Sequence, residues 1–245
     1  MCTVTYLPLG DGYILTSNRD ESPLRGNAIP PKFYEYYKKS LLYPKDPVAE
    51  GSWIVSSSQF TLCLLNGGFE KHERQLPYRM SRGRVLLDFF SFSSVEDFFK
   101  DYSLDKIEPF TLVILKLTSG IKSAYELVWD GNNKHIRQLN PVKPFILASS
   151  TLYDRRMRFE RKSWFSNWLN NHSEPFNQKD IIEFHKNAGN GNPYENLQMN
   201  RDEKVKTLSI TSVLRSEDIN EMKYINTSDL SEHQAEIPIL QHFDL

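Results

Sequence analysis

MCTVTYLPLGDGYILTSNRDE, residues 1–21, sets two β-prone runs on either side of a tight turn. Residues 3–7 (TVTYL) and 13–17 (YILTS) are rich in β-branched and aromatic side chains. Gly10-Asp11-Gly12 between them supplies the backbone freedom of a hairpin turn. With the turn centred near Gly10 and Asp11, paired residue numbers sum to about 21–23. Cys2 then opposes Arg19, Asp20 or Glu21, and the cluster Asn18-Arg19-Asp20-Glu21 is returned to the start of the chain.

That placement gives Cys2 a chemical meaning. Initiator methionine is normally removed when the second residue is small, so the mature chain is expected to begin at Cys2. One residue then carries a thiol of pKa about 8.5 and an α-amine of about 7.7–8.0. Such an amine accepts protons at neutral pH, whereas a lysine near 10.4 does not. It shares a Cα with the nucleophile, so base and nucleophile are close by construction. A facing carboxylate can orient the ammonium, and a facing arginine can favour the thiolate. Cysteine at position 2 also arises by chance, and polar clusters commonly end strands. The two features together carry the reading.

Further along, residues 26–51 are rich in Pro, Tyr and Lys and read as a long irregular excursion. Residues 52–55 and 60–65 read as strands, with Asn66-Gly67-Gly68 ending the second. A helix is expected from about Ser81, and Ser93-Ser94-Val95-Glu96 has the form of a capping box for another. Strands follow at residues 110–117, 123–129, 135–139 and 145–149. Helical spacing recurs over 153–171 and 179–187. Residues 189–204 form a polar loop, 207–214 and 222–225 are late strands, and the last twenty residues form an irregular tail. A second Asn-Arg-Asp-Glu at 200–203 is taken as coincidence or turn chemistry. Strands and helices come in blocks, which favours an α+β fold with antiparallel sheets in a single domain, 1–245.

The bulk properties narrow the function classes. The 39% hydrophobic and 25% charged composition is that of a globular protein. A net charge of −1 calls for neither nucleic acid nor an anionic membrane. Aromatics at 13% suit a core and also a pocket for bulky apolar ligands. Two cysteines make no disulfide framework, and Cys63 in its apolar strand is expected to be buried and inert. The N-terminus has no signal-peptide pattern, and no apolar run approaches the roughly 20 residues of a membrane span. These features, with free thiols, predict a cytoplasmic protein without stable membrane insertion. The histidines lack metal-ligand spacing, and Gly67-Gly68 is no phosphate loop, so no cofactor or metal is implied. His72, Arg74, Arg79 and Arg82 form either a basic mouth near Asn66 or a solvated loop and first helical turn. The run Arg155, Arg156, Arg158, Arg161 and Lys162 is expected to form a solvated helix face. Trp164 and Trp168, four apart, read as core. Tyr34-Glu35-Tyr36-Tyr37 reads as an edge strand or packed loop, with a pocket wall as the alternative.

The ordered motifs resemble the NRDE family, which includes the transport and Golgi organisation 2 proteins. The matching elements are Met1-Cys2, the hairpin, Asn18-Arg19-Asp20-Glu21, Arg25, Gly51-Ser52-Trp53-Ile54, Leu64-Leu65-Asn66 and Ser81-Arg82-Gly83. That family in turn is similar to choloylglycine-type N-terminal-nucleophile hydrolases, which include bile salt hydrolases, penicillin V acylases and acid ceramidase. The resemblance implies a four-layer αββα sandwich and hydrolysis of a non-peptide amide bond. By motif, Cys2 matches the nucleophile, Asp20 the aspartate that contacts its amine, and Asn66 an oxyanion-hole asparagine. Asn18 is expected to help hold the amine. Arg19 or Lys206 is expected to support the thiolate or a substrate carboxylate. Two positions depart from the pattern. Ser149-Ser150-Thr151 stands where those hydrolases carry an asparagine, and Lys206 stands nearest to their late-strand arginine. The alternative is a non-catalytic module on the same fold that handles haem or lipid.

Overall fold

In the computed structural model, residues 3–237 are described, and Cys2 lies outside them. The hairpin forms as its turn chemistry requires. Strand β1 (Thr3–Pro8) pairs antiparallel with β2 (Tyr13–Glu21), Thr3 opposite Asn18 and Pro8 opposite Tyr13. Every pair sums to 21, the lower end of the expected range.

β2 also pairs with β12 (Val205–Arg215), which sets Thr207 opposite Asp20 and Ser209 opposite Arg19 across a bulge. The hairpin is therefore internal to its sheet, flanked by β10 (Phe145–Ala148) on β1 and by β12 on β2. Beyond β12 lie β13 (Asn220–Asn226) and β14 (Glu232–Glu236), with the short β11 (Asn200–Arg201) also on β12. The second sheet is a meander in chain order. Its strands are β3 (Ile29–Tyr36), β4 (Lys39–Lys45), β5 (Ile54–Ser56), β6 (Phe60–Asn66), β7 (Phe110–Thr118), β8 (Ile121–Trp129) and β9 (Lys134–Leu139).

Alternation within the strands sorts the layers. Val4, Tyr6, Tyr13 and Leu15 of the first sheet meet Trp53, Cys63, Leu65 and Val113 of the second. On the outer face of the first sheet, Leu7 and Ile14 pack under α3 (Arg155–Asn170) and α4 (Gln178–Asn187) through Phe165, Ile181 and Phe184. On the outer face of the second, Leu62, Leu64 and Leu112 pack under α1 (Arg82–Asp88) and α2 (Val95–Asp101) through Val85, Leu86 and Phe98. The result is helix, sheet, sheet, helix, the expected α+β sandwich. Strands buried on both faces read as nearly unbroken apolar runs, as in Leu112-Val113-Ile114-Leu115 of β7.

Several expectations hold in detail. Ser94 caps α2, its hydroxyl accepting from the Asp97 amide at 3.0 Å. The Tyr34–Tyr37 run enters the edge strand β3. Trp164 and Trp168 pack against the core under α3. The second Asn-Arg-Asp-Glu is turn chemistry: Asp202 and Glu203 take positive φ in the β11–β12 connection.

Two expectations are overturned. Residues 26–51 hold β3 and β4 rather than an irregular excursion. Pro30 and Pro31 disguised β3, yet proline is tolerated on an edge strand, and a register shift between Ile29 and Lys32 absorbs them. The tail contains β14, whose sequence Glu-His-Gln-Ala-Glu is a polar edge with no alternation to betray it. Among the described residues, no helix is long and apolar enough to cross a membrane.

Candidate functional site

The end of β2 sends successive side chains in opposite directions. Asn18 and Asp20 turn outward, toward the α3–α4 layer. Arg19 turns inward, between the sheets.

Asn18 is fully buried and its amide is committed to α4 and the following loop. Its Nδ2 donates to the Leu197 carbonyl at 2.8 Å and the His185 carbonyl at 3.3 Å. Its Oδ1 accepts from His185 Nδ1 at 2.6 Å. Thr5 Oγ1 lies 2.7 Å from His185 Nε2. Burial pulls the His185 pKa down to about 3, so the ring is neutral. With Nδ1 donating to Asn18, Nε2 accepts from Thr5. Asn18 thus ties the hairpin to the helix layer.

Arg19 donates through Nη2 to Asp46 at 2.9 Å, and its guanidinium lies 4.7 Å from the Trp53 ring centroid. Asp46 also accepts from Arg25 Nε at 2.8 Å and from the amides of Val48 and Ala49. Burial alone would raise the Asp46 pKa. The Ala49 amide and the two guanidinium groups outweigh it and hold the carboxyl below its ordinary value. Arg19 is 3% exposed, and its Nη1 has no hydrogen-bond partner among the described residues. It lies on the wall of a cleft of about 520 Å³, together with Trp53, Asn66, Arg82 and Glu108.

Two glycines shape this cleft. A Cβ on Gly83 would lie 2.7 Å from the Ser52 carbonyl oxygen, and one on Gly51 would lie 2.6 Å from the Gly83 carbonyl carbon. The Gly51-Ser52-Trp53 and Arg82-Gly83 motifs therefore meet backbone to backbone, and this contact brings the start of α1 to the cleft. Arg74, Arg82 and His72 gather on Glu108 at 3.3, 3.2 and 3.3 Å. Arg74 and Arg82 line the cleft, whereas Arg79 turns away to the Ser103 carbonyl. Two of the four basic residues thus line the cleft, their charge offset by Glu108, and Arg79 belongs to the solvated loop.

Asp20 is 1% exposed. Its Oδ1 accepts from Thr207 Oγ1 at 2.6 Å and its Oδ2 from the Tyr153 hydroxyl. Arg161 covers the face of Tyr153, 3.5 Å from the ring centroid. Sequence reasoning missed Tyr153 because 133 positions separate it from Asp20.

Asn66 ends β6, and its carbonyl accepts from Ser149 Oγ at 2.7 Å. Gly67 follows with φ of 86°, and a Cβ there would sit 2.3 Å from Ser150 Oγ. Ser149 therefore ties the end of β10 to the end of β6. Lys206 opposes Glu21 in the register, but its ammonium pairs with Glu203 at 2.7 Å and is not part of the cleft wall. Cys63 is fully buried, and burial pushes its thiol up to about 12, so it is the expected inert thiol.

The arginine run of α3 is not a uniform solvated face. Arg161 is fully buried, donating to the carbonyls of Met157, Glu195 and Asn196. Helical phase turns it inward, where Tyr153 and the loop carbonyls replace water. Arg158 and Lys162 border a second cavity of about 560 Å³ with apolar walls that include Val128, Ile136 and Phe159.

Arg19 and Asn66 therefore line one cleft near the start of β1 at Thr3, which lies between Asn18 and Ala148, whereas the Asp20 side chain turns to the opposite face of the sheet, toward Tyr153. Asn18 anchors that end from behind, and Lys206 stands apart. The family model described as Transport and Golgi organisation 2 matches residues 1–230. No curated protein matches the chain at a significant level.

Proposed function

The chain belongs to the Transport and Golgi organisation 2 family, matched over residues 1–230, and from that premise we propose that it is an N-terminal cysteine amidohydrolase acting on non-peptide amide bonds after loss of Met1. The β1–β2 register carries the reading. Its pairs, from Thr3 with Asn18 to Pro8 with Tyr13, sum to 21, and extending that register by one step, as proposed, would set position 2 against Arg19. On that extension, a chain starting at Cys2 would bring its amine to the strand end that bears Asp20.

The reaction runs through this chain's own groups. The Cys2 thiol gives its proton to the α-amine as sulfur attacks the amide carbonyl carbon. The Asn66 side-chain amide stabilises the resulting oxyanion, a role worth about 2.7–4 kcal/mol where such donors have been removed. The ammonium returns the proton to the amide nitrogen as the C–N bond breaks, leaving a thioester. Water, deprotonated by the amine, attacks the thioester, and the acid departs as the thiol is restored. Asp20 holds the amine. The Nη1 of Arg19, without a partner among the described residues, can donate to the thiolate or to a substrate carboxylate.

The test is turnover of an amide panel, with mass detection of an acyl group on Cys2. Activity in the wild type and its loss in Cys2→Ala are expected, and equal activity in both would remove the proposal.

The second cavity favours one other reading. Its apolar walls and basic edge suit a haem or lipid ligand held without chemistry. Haem titration of wild type and Cys2→Ala separates the two. Equal Soret shifts in both, with no amide turnover, support the binding module.

A further inference from the structure

We propose that Tyr153, backed by Arg161, is a positioning residue for Asp20, setting the direction in which that carboxylate meets the N-terminal amine. The proposal rests on the reading of Asp20 given above.

Two buried hydroxyls grip the carboxylate from different elements. Thr207 takes Oδ1 from the neighbouring strand β12, at 2.6 Å. Tyr153 takes Oδ2 from the segment between β10 and α3. A single donor leaves a carboxylate free to turn about its own axis, whereas a donor on each oxygen fixes its plane. Thr207 sits on the same sheet as Asp20 and moves with it. Tyr153 does not, so it references the carboxylate to the α3 layer.

Arg161 ties α3 to the loop at residues 195–196 and at the same time covers the Tyr153 ring. A fully buried guanidinium is costly, and the groups it donates to are three main-chain carbonyls. Stacked 3.5 Å from the Tyr153 centroid, it draws density from the π face and makes the phenol a stronger donor to Asp20. Arg201 adds a second cation 5.7 Å from the same ring. The ring itself packs on Met157 and Met199, which is the bland explanation of its burial. Tyr153→Phe separates the two roles, since it keeps ring, stack and packing and removes only the hydroxyl.

The experiment uses the full chain with Cys2 as its verified first residue. The rate of Cys2 alkylation by iodoacetamide is followed across pH by mass of the N-terminal peptide, with buried Cys63 as internal control. Wild type, Asp20→Asn and Tyr153→Phe are compared, each shown to be folded by its urea transition. Asp20→Asn is expected to move the midpoint of the pH profile. Tyr153→Phe is expected to move it in the same direction by about half a unit. If Asp20→Asn moves the midpoint and Tyr153→Phe overlays the wild type, the positioning role is refuted while the reading of Asp20 stands. If Asp20→Asn also overlays the wild type, the reading of Asp20 fails and this proposal fails with it.

Discussion

His185→Gln should remove most of the pH dependence that the hairpin anchor imposes on stability. The neutral His185 ring is fully buried between Asn18 and Thr5. Burial lowers its pKa from 6.5 to about 3. Between those values the unfolded chain binds a proton that the folded chain refuses, so stability falls as pH falls from 6.5 toward 3. At pH 5 the deficit is about 1.5 units, and at 1.36 kcal/mol per unit it amounts to about 2 kcal/mol relative to pH 7.5. A folded pKa one unit higher would leave this figure nearly unchanged. Glutamine cannot titrate. At pH 7.5 the variant should be less stable by about 1–3 kcal/mol, the usual cost of leaving buried partners unsatisfied. At pH 5 that gap should narrow by about 2 kcal/mol. Urea unfolding of both proteins at both pH values measures it, and the other histidines cancel in the difference. A gap of the same size at pH 7.5 and pH 5 would refute the reasoning.

Gly83→Ala should cost about 1–3 kcal/mol in urea unfolding, because its Cβ meets the Ser52 carbonyl, whereas Gly10→Ala, with nothing within 4 Å, should be neutral. Asp46→Asn should cost on the order of 3 kcal/mol at pH 7, since it strips the buried Arg19 of its carboxylate. The Asp46 carboxyl has a depressed pKa, so its contribution is present above 3.8 and is lost on acidification, and the wild-type and Asp46→Asn stabilities should converge there. Lys206→Met should change stability by less than about 0.5 kcal/mol, because the lysine's partner Glu203 is largely exposed to solvent and methionine keeps the packing of the covered stem. Unchanged amide turnover in that variant would separate Lys206 from the chemistry.

The hairpin was legible because its signals are local: β-branched runs around Gly10-Asp11-Gly12, with a turn length that fixes the register. The same locality exposed the Ser94 cap and the strands from Phe110 to Ala148. β3 and β14 were hidden for opposite reasons. Prolines that an edge strand tolerates read as breakers in β3, and the polar residues of β14 carry no period. At the site, Asn18, Arg19 and Asp20 could be named from one strand, but their directions depend on partners far along the chain. Asn18 meets His185, Arg19 meets Asp46, and Asp20 meets Tyr153 and Thr207. Nothing near residue 20 in the sequence announces a tyrosine at 153. The burial of Arg161 was equally hidden, because a run of five basic residues on one helix looks solvated until helical phase and a neighbouring loop remove one from water.

Everything chemical here requires the thiol and amine of one residue at the start of β1. Intact-mass spectrometry of the purified native chain, before and after exposure to a turned-over amide, tests that most directly. The expected result is a chain lighter by one methionine residue, which gains a single acyl group on Cys2 and loses it to water. A population that retains Met1 throughout and stays free of any acyl adduct would contradict it.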